Sequence, residues 1–107
     1  MKDMVLVVEN EGTQQILISK ILKGQGFLPI VTDSLSEASS TVGAFDLQFA
    51  IIDIYLPEKN GWELIKGIRA TEQTLGILII TGVLDKESKQ FQQYYDDFKF
   101  NDIKIIS

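Results

Sequence analysis

The sequence predicts a doubly wound α/β fold built on a parallel five-stranded sheet. Two patterns support this prediction. Short, continuous apolar runs recur along the chain, and segments with apolar residues at helical spacing separate them. The length is a third indication, because 107 residues with 45% hydrophobic content suit one compact domain.

The strands are predicted from the apolar runs. Residues 5–8, 49–52 and 77–80 are β-branched runs typical of central strands buried on both faces. Residues 27–31 predict a second strand, and Pro29 places it at a sheet edge because proline cannot donate to a central ladder. A fifth strand is expected at residues 103–106.

The helices are predicted between these runs. Residues 12–24 have helical spacing and end at Gly24-Gln25-Gly26, and Ser34-Leu35-Ser36-Glu37 is a capping box that opens a short helix to about Val42. An apolar stripe predicts a third helix over 61–72, and 86–98 predicts a fourth, weaker one. This alternation favours right-handed crossovers and the flavodoxin-like strand order 2-1-3-4-5.

Composition excludes several classes of function. Ten Lys and Arg against 15 Asp and Glu give a net charge of −5, which disfavours direct contact with nucleic acid or anionic membranes. The chain has no cysteine and no histidine, so disulfides, Cys/His zinc sites, Ser/His/Asp triads and a phosphohistidine on this chain are excluded. Carboxylate, hydroxyl and lysine chemistry remain.

We expect no targeting signal in the N-terminal region. Its apolar run, 5–8, is shorter than the roughly 7–15 residues of a signal peptide, and no run approaches the roughly 20 needed to cross a bilayer. No internal repeat or linker interrupts the chain. We therefore expect a cytoplasmic protein with a single domain over residues 1–107 and no output domain.

Polar side chains follow the central runs. Glu9 and Asn10 follow the first run, Asp53 follows 49–52, and Thr81 follows 77–80. In open α/β sheets ligands bind at the carboxyl ends of the strands, where the strand order reverses. Crowded carboxylates repel each other unless a hard cation neutralises them, so the set predicts Mg²⁺. The alternative is that these residues only form turns after strands.

The segment from Asp53 to Leu64, D-I-Y-L-P-E-K-N-G-W-E-L, resembles the D-x-x-[ML]-P-x-x-x-G-x-E-L motif of two-component response-regulator receiver domains. Residues 5–11 resemble that family's first strand with its acidic pair. Residues 77–82 resemble its fourth strand, which ends in a switch hydroxyl and a small residue. The resemblance covers nearly the whole chain.

The resemblance implies a role for each matching residue. Asp53 would accept a phosphoryl group from a histidine kinase or histidine phosphotransfer protein, and Thr81 would be the switch hydroxyl. Glu9 and Asn10 would occupy the acidic pair, and Tyr55 would offer its backbone carbonyl to Mg²⁺. Phosphorylation would then change binding of a downstream protein target. Such a domain catalyses only its own phosphorylation and dephosphorylation, so it is not a conventional enzyme.

Two departures from the family pattern stand out. Asn10 is an amide where the family has an acid, so Mg²⁺ should bind more weakly, and Glu11 should not replace it because it points into the following loop or helix. Counting from Thr81 puts the family's lysine near Ile103, and Lys104 is the nearest candidate. A one-residue slip reverses a strand side chain, so Lys104 either faces away or follows a compensating insertion.

The family's proline after that lysine and its final helix are also missing, so we expect a sheet that lacks its last helix or a chain cut short of it. A phosphorylation-independent pseudo-receiver is the alternative, with a protein-binding face that carries Phe91, Tyr94, Tyr95, Phe98 and Phe100. A flavodoxin-like nucleotide-binding protein or phosphatase is less well supported. Asp53-x-Tyr55 lacks the second aspartate, and Gly24-x-Gly26 follows a helix as a C-cap.

Overall fold

The computed structural model describes residues 3–53, 61–71, 75–80 and 103–106. They form a parallel sheet of strands β1 (Asp3–Val8), β2 (Phe27–Thr32), β3 (Leu47–Asp53), β4 (Gly76–Ile80) and β5 (Ile103–Ile106) in the order β2-β1-β3-β4-β5. Helices α1 (Gly12–Gly24), α2 (Leu35–Ala44) and α3 (Gly61–Thr71) connect the strands. The predicted fold class and strand order are confirmed, whereas the predicted helix over 86–98 lies outside the described residues.

The three inner strands divide the core into two layers. Alternate residues of a strand point to opposite faces, so Val5 and Val7 join one cluster while Leu6 and Val8 join the other. The first cluster packs against α1, and the second packs against α2 and α3. Apolar side chains are needed on both faces, which explains the continuous runs in the sequence.

Strand β2 lies at the edge of the sheet, as Pro29 predicts. The strand extends one residue beyond the predicted end, to Thr32, because Thr32 pairs with Val8 and its carbonyl accepts from the Glu9 backbone N–H at 3.0 Å. The end of β2 is thereby fastened to the loop that follows β1.

Helix α1 has the predicted bounds, and its ends explain them. The Glu11 carboxylate accepts from the Gln14 backbone N–H at 2.8 Å and caps the N-terminus. At the other end the Gln25 backbone N–H donates to the carbonyl of Leu22, and Gly26 takes a φ of +89°. This left-handed conformation is one that glycine adopts without a steric cost, so the chain reverses there.

The predicted capping box of α2 forms on one side only. The Ser34 hydroxyl accepts from the Glu37 backbone N–H at 3.3 Å, as expected. The Glu37 carboxylate, however, accepts from the Thr32 hydroxyl at 2.8 Å, and that hydroxyl in turn accepts from the Ser34 backbone N–H at 3.1 Å. The second bond of a capping box would join the Ser34 backbone N–H directly to the Glu37 carboxylate. Here the Thr32 hydroxyl lies between these two groups and forms a relay that connects them. The helix also continues to Ala44, beyond the expected end near Val42.

None of the helices within the described residues is long and apolar enough to span a membrane.

Candidate functional site

The carboxyl ends of β1 and β3 bring Glu9 and Asp53 together. The two strands are neighbours, and Val8 pairs with Ile52, so the residue after each stands at the same level. Strand order reverses at this point, since β2 follows β1 in the chain but β3 lies on its other side. The carboxyl groups of Glu9 and Asp53 form a side-chain hydrogen bond. The structure thus places these two acids together at the carboxyl ends of neighbouring strands, as predicted.

Glu9 is an almost fully buried acid, with 1% of its surface exposed. Its Oε2 atom accepts from the backbone N–H of Asn10 at 2.9 Å and of Glu11 at 3.3 Å. Burial first, and then the hydrogen bond and charge of Asp53, raise the pKa of Glu9 from 4.5 to about 7, against the opposing effect of the two backbone amides. Near neutral pH the Glu9 carboxyl group is therefore partly protonated, and a cation could replace this proton.

The loop that carries Glu9 is fixed from two sides. The Glu9 backbone N–H donates to the carbonyl of Thr32, and the Glu9 carbonyl accepts from Nε2 of Gln15 at 2.6 Å. Sequence reasoning missed the Gln15 contact. A glutamine in the second turn of a helix carries no signal that distinguishes this bond from solvent exposure.

The two residues after Glu9 have different roles. Asn10 is exposed beside Glu9, at the position where the family has its second acid. Glu11 is exposed but bound to the start of α1, and the backbone N–H groups of Gln14 and Thr13 lower the pKa of its carboxyl group. Glu11 therefore caps α1, and its side chain points into the following helix, as expected.

The oxygen donors at this edge fit Mg²⁺. Two carboxylates meet there, with the Asn10 amide next in the chain, and hard oxygen ligands are those that Mg²⁺ prefers. Among the residues that the structure describes, no three His, Cys, Asp or Glu side chains come close enough to form a metal cluster. The described part of the site thus supplies two acidic groups.

Other predicted site residues are not brought together by the described structure. Tyr55, Thr81 and the aromatic face of the pseudo-receiver alternative lie outside the described residues. The backbone of Lys104 pairs with Leu78, whereas Ile106 pairs with Ile80, which stands level with Asp53. Ile106 is therefore the β5 residue at the level of Asp53, and Lys104 lies two residues before it.

Comparison with known proteins agrees with this arrangement. The response regulator receiver domain profile matches residues 5–98. The transcriptional regulatory protein CusR of Escherichia coli strain K12 is 27% identical over 96 residues, which cover 88% of this chain and 42% of CusR. The chain thus spans about two fifths of the length of the curated relatives it matches.

Solved structures share the fold. The receiver domain of sensor histidine kinase PA1611 from Pseudomonas aeruginosa PAO1, with a magnesium ion coordinated in its active site cleft, superposes with a TM-score of 0.73 at 19% identity, covering 98% of this chain and 85% of that one. The complex of histidine kinase ThkA with response regulator TrrA of Thermotoga maritima gives 0.73 at 21% identity, with coverage of 100% and 87%. On the sequence profile and the fold, the chain belongs to the response regulator receiver domain family.

Proposed function

We propose that this receiver domain accepts a phosphoryl group on Asp53, in the presence of Mg²⁺, from the phosphohistidine of a kinase or phosphotransfer protein. The observation that carries the proposal is the contact between the Glu9 and Asp53 carboxyl groups at the point where the strand order reverses. A second acid at this position can bind a cation beside the nucleophile, which a lone strand-ending aspartate could not do.

The environments of the two acids favour Asp53 as the nucleophile. Glu9 is buried and its Oε2 atom is engaged by two backbone amides, whereas Asp53 is partly exposed at the sheet edge. A carboxylate oxygen of Asp53 would attack phosphorus and form the O–P bond. The N–P bond of the donor would break, and its electron pair would remain on the imidazole nitrogen, which takes up a proton.

In this proposal Glu9, Asn10, Asp53 and the backbone carbonyl of Tyr55 hold the metal. Bound Mg²⁺ would neutralise negative charge on the phosphoryl oxygens. Two features of this chain support binding by these residues: Glu9 is already oriented toward Asp53, and the proton that Glu9 retains near neutral pH occupies the place of a positive charge. The neutral Asn10 leaves one charge fewer than the family pattern, so binding should be comparatively weak.

Phosphorylation would act as a charge switch. It puts a phosphoryl group with about 1.5–2 negative charges in place of the Asp53 carboxylate charge, beside the almost fully buried Glu9. We propose that the Thr81 hydroxyl responds to this charge and that the resulting shift in conformation alters binding of a downstream protein. Lys104 remains the nearest candidate for the family's lysine. The chain would catalyse only its own phosphorylation and dephosphorylation.

A histidine kinase as donor is supported by the neighbour TrrA, whose structure was solved in complex with the kinase ThkA. The net charge of −5 argues against direct binding of nucleic acid, so we propose a protein target for residues 1–107, acting as one domain in the cytoplasm.

The experiment is incubation with Mg²⁺ and a small phosphodonor, followed by intact-mass measurement of wild type and of Asp53→Asn. Trp62 fluorescence upon addition of beryllofluoride gives an independent signal. The proposal expects a phosphoryl adduct and a fluorescence change in wild type only. If the two proteins respond alike, the phosphorylation-independent pseudo-receiver is the better account.

A further inference from the structure

We propose that Gln15 is a positioning residue that fixes the peptide group after Glu9 and thereby sets the Mg²⁺ affinity of the Glu9–Asp53 pair. The inference rests on the proposed function, because it assumes that this pair binds the metal. It assigns to α1 a role in the site beyond that of a covering helix.

The Gln15 side chain reaches back from the helix to the loop. Its Nε2 atom donates to the Glu9 carbonyl at 2.6 Å, while its backbone N–H donates to the carbonyl of Glu11 at 3.0 Å as part of the helix. The side chain is half-buried, so water competes poorly for this bond. The backbone hydrogen bond fixes Gln15 in the helix, and the side-chain hydrogen bond fixes the Glu9 carbonyl relative to the helix.

A peptide group is planar, so a bond to its oxygen also orients its N–H. The carbonyl of Glu9 and the N–H of Asn10 belong to the same peptide group. That N–H donates to the Glu9 carboxylate at 2.9 Å, and the same carboxylate faces Asp53. Gln15 therefore orients the Glu9 carboxylate through one rigid unit, although it touches neither carboxyl group of the pair.

The other tether of Glu9 leaves this peptide group free to turn. It joins the Glu9 backbone N–H to the carbonyl of Thr32, on the opposite side of the Glu9 α-carbon. With Gln15 removed, rotation about the Cα–C bond of Glu9 would move the carbonyl and the Asn10 N–H together. The Glu9 carboxylate would lose its shortest backbone hydrogen bond, and the loop would have to be ordered again when the metal binds.

Isothermal titration calorimetry of the full chain with MgCl₂ alone tests the inference. We expect Gln15→Leu, which keeps the volume but lacks the donor, to bind Mg²⁺ about five- to thirty-fold more weakly, the fold-change that corresponds to ordering the backbone of one residue. Gln14→Leu is the matched control. It lies at the neighbouring position of α1, and leucine retains the backbone N–H that bonds Glu11. Its Mg²⁺ affinity should stay within about two- to three-fold of wild type, because the hydrogen bonds that hold Glu9 do not involve the Gln14 side chain.

Amide hydrogen exchange without Mg²⁺ provides a readout that a general loss of stability would not produce. In Gln15→Leu the Asn10 amide should exchange faster, while the Gln25 amide at the other end of α1 should keep its wild-type rate. Because this measurement needs no metal, it also tests the inference in a variant that binds Mg²⁺ too weakly for calorimetry.

Three results would overturn the inference: wild-type Mg²⁺ affinity in Gln15→Leu, an equal loss in Gln14→Leu, or unchanged Asn10 exchange. Absence of Mg²⁺ binding by the wild-type protein would instead contradict the proposed function itself.

Discussion

Replacing Glu9 by glutamine should make the metal-free protein more stable above neutral pH, although it removes an acid from the site. Glutamine has nearly the shape of glutamate. Its Oε1 atom can accept from the backbone N–H groups of Asn10 and Glu11, as Glu9 does now, and its Nε2 group can donate to Asp53. Glu9→Gln thus imitates the protonated form of Glu9 at every pH.

The size of the effect follows from the raised pKa. In the folded protein the pKa of Glu9 is about 7, above the ordinary 4.5, so the folded state binds a proton more tightly than the unfolded state. This contribution to stability is fully present below pH 4.5 and is lost as the pH rises to 7. A shift of this size corresponds to about 3 kcal/mol, since each pKa unit is about 1.4 kcal/mol. Small domains have about 5–15 kcal/mol of stability, so the loss should be easily measured.

The assay is urea unfolding in EDTA at several pH values between 5 and 8. Wild type should lose most of the ~3 kcal/mol over this range, and Glu9→Gln should show a flatter profile that lies further above that of wild type as the pH rises. Asp46→Asn is the control, because it removes the same charge from an exposed residue. Its pH profile should run parallel to that of wild type.

Addition of Mg²⁺ at pH 8 should raise the free energy of unfolding of wild type more than that of Glu9→Gln. Wild type should gain stability as the metal binds beside the ionised Glu9, and Glu9→Gln should gain little. Parallel pH profiles for wild type and Glu9→Gln in EDTA would refute the raised pKa of Glu9, and equal stabilisation by Mg²⁺ would refute the role of Glu9 as a ligand.

Four further substitutions test other interactions in the molecule. Thr32→Val should lower the free energy of unfolding in urea by about 1–3 kcal/mol, because it removes the hydroxyl that connects the Glu37 carboxylate with the N-cap of α2; a neutral result would contradict the relay. Glu11→Ala should destabilise α1, with the loss largest above the ordinary carboxyl pKa and shrinking as the pH falls, yet leave Mg²⁺ affinity unchanged in calorimetry. Loss of Mg²⁺ binding there would place Glu11 in the metal site. Ile51→Ala, at a fully buried position, should cost about 2–5 kcal/mol, whereas Ile16→Ala, at a position 65% exposed, should stay within about 0.5 kcal/mol; similar costs would contradict the burial pattern.

The fold was predictable because its signals are local. The apolar runs of the inner strands, Pro29 at the edge and the stop at Gly26 each depend on a few neighbouring residues. The meeting of Glu9 and Asp53 was also predictable, because acids that follow adjacent parallel strands must reach the same edge of the sheet.

The remaining contacts depend on the distances between helices, strands and loops, and these distances cannot be read from the sequence. The Glu37 carboxylate accepts a hydrogen bond from Thr32 because the end of β2 lies beside the first turn of α2. The Gln15 contact likewise needs the loop after Glu9 to fold back onto α1. The level of Lys104 could not be obtained by counting from Thr81, because the pairing of Ile80 with Ile106 sets the register of β5 independently of the length of the connection.

The most direct test is to locate the phosphoryl group on the chain. After reaction with a phosphohistidine donor and Mg²⁺, borohydride reduction converts an aspartyl phosphate to homoserine, which peptide mass spectrometry can assign to a single position. We expect homoserine at position 53, dependent on Mg²⁺ and absent from Asp53→Asn. Modification at another residue, or no modification under conditions in which the wild-type protein binds Mg²⁺, would contradict it.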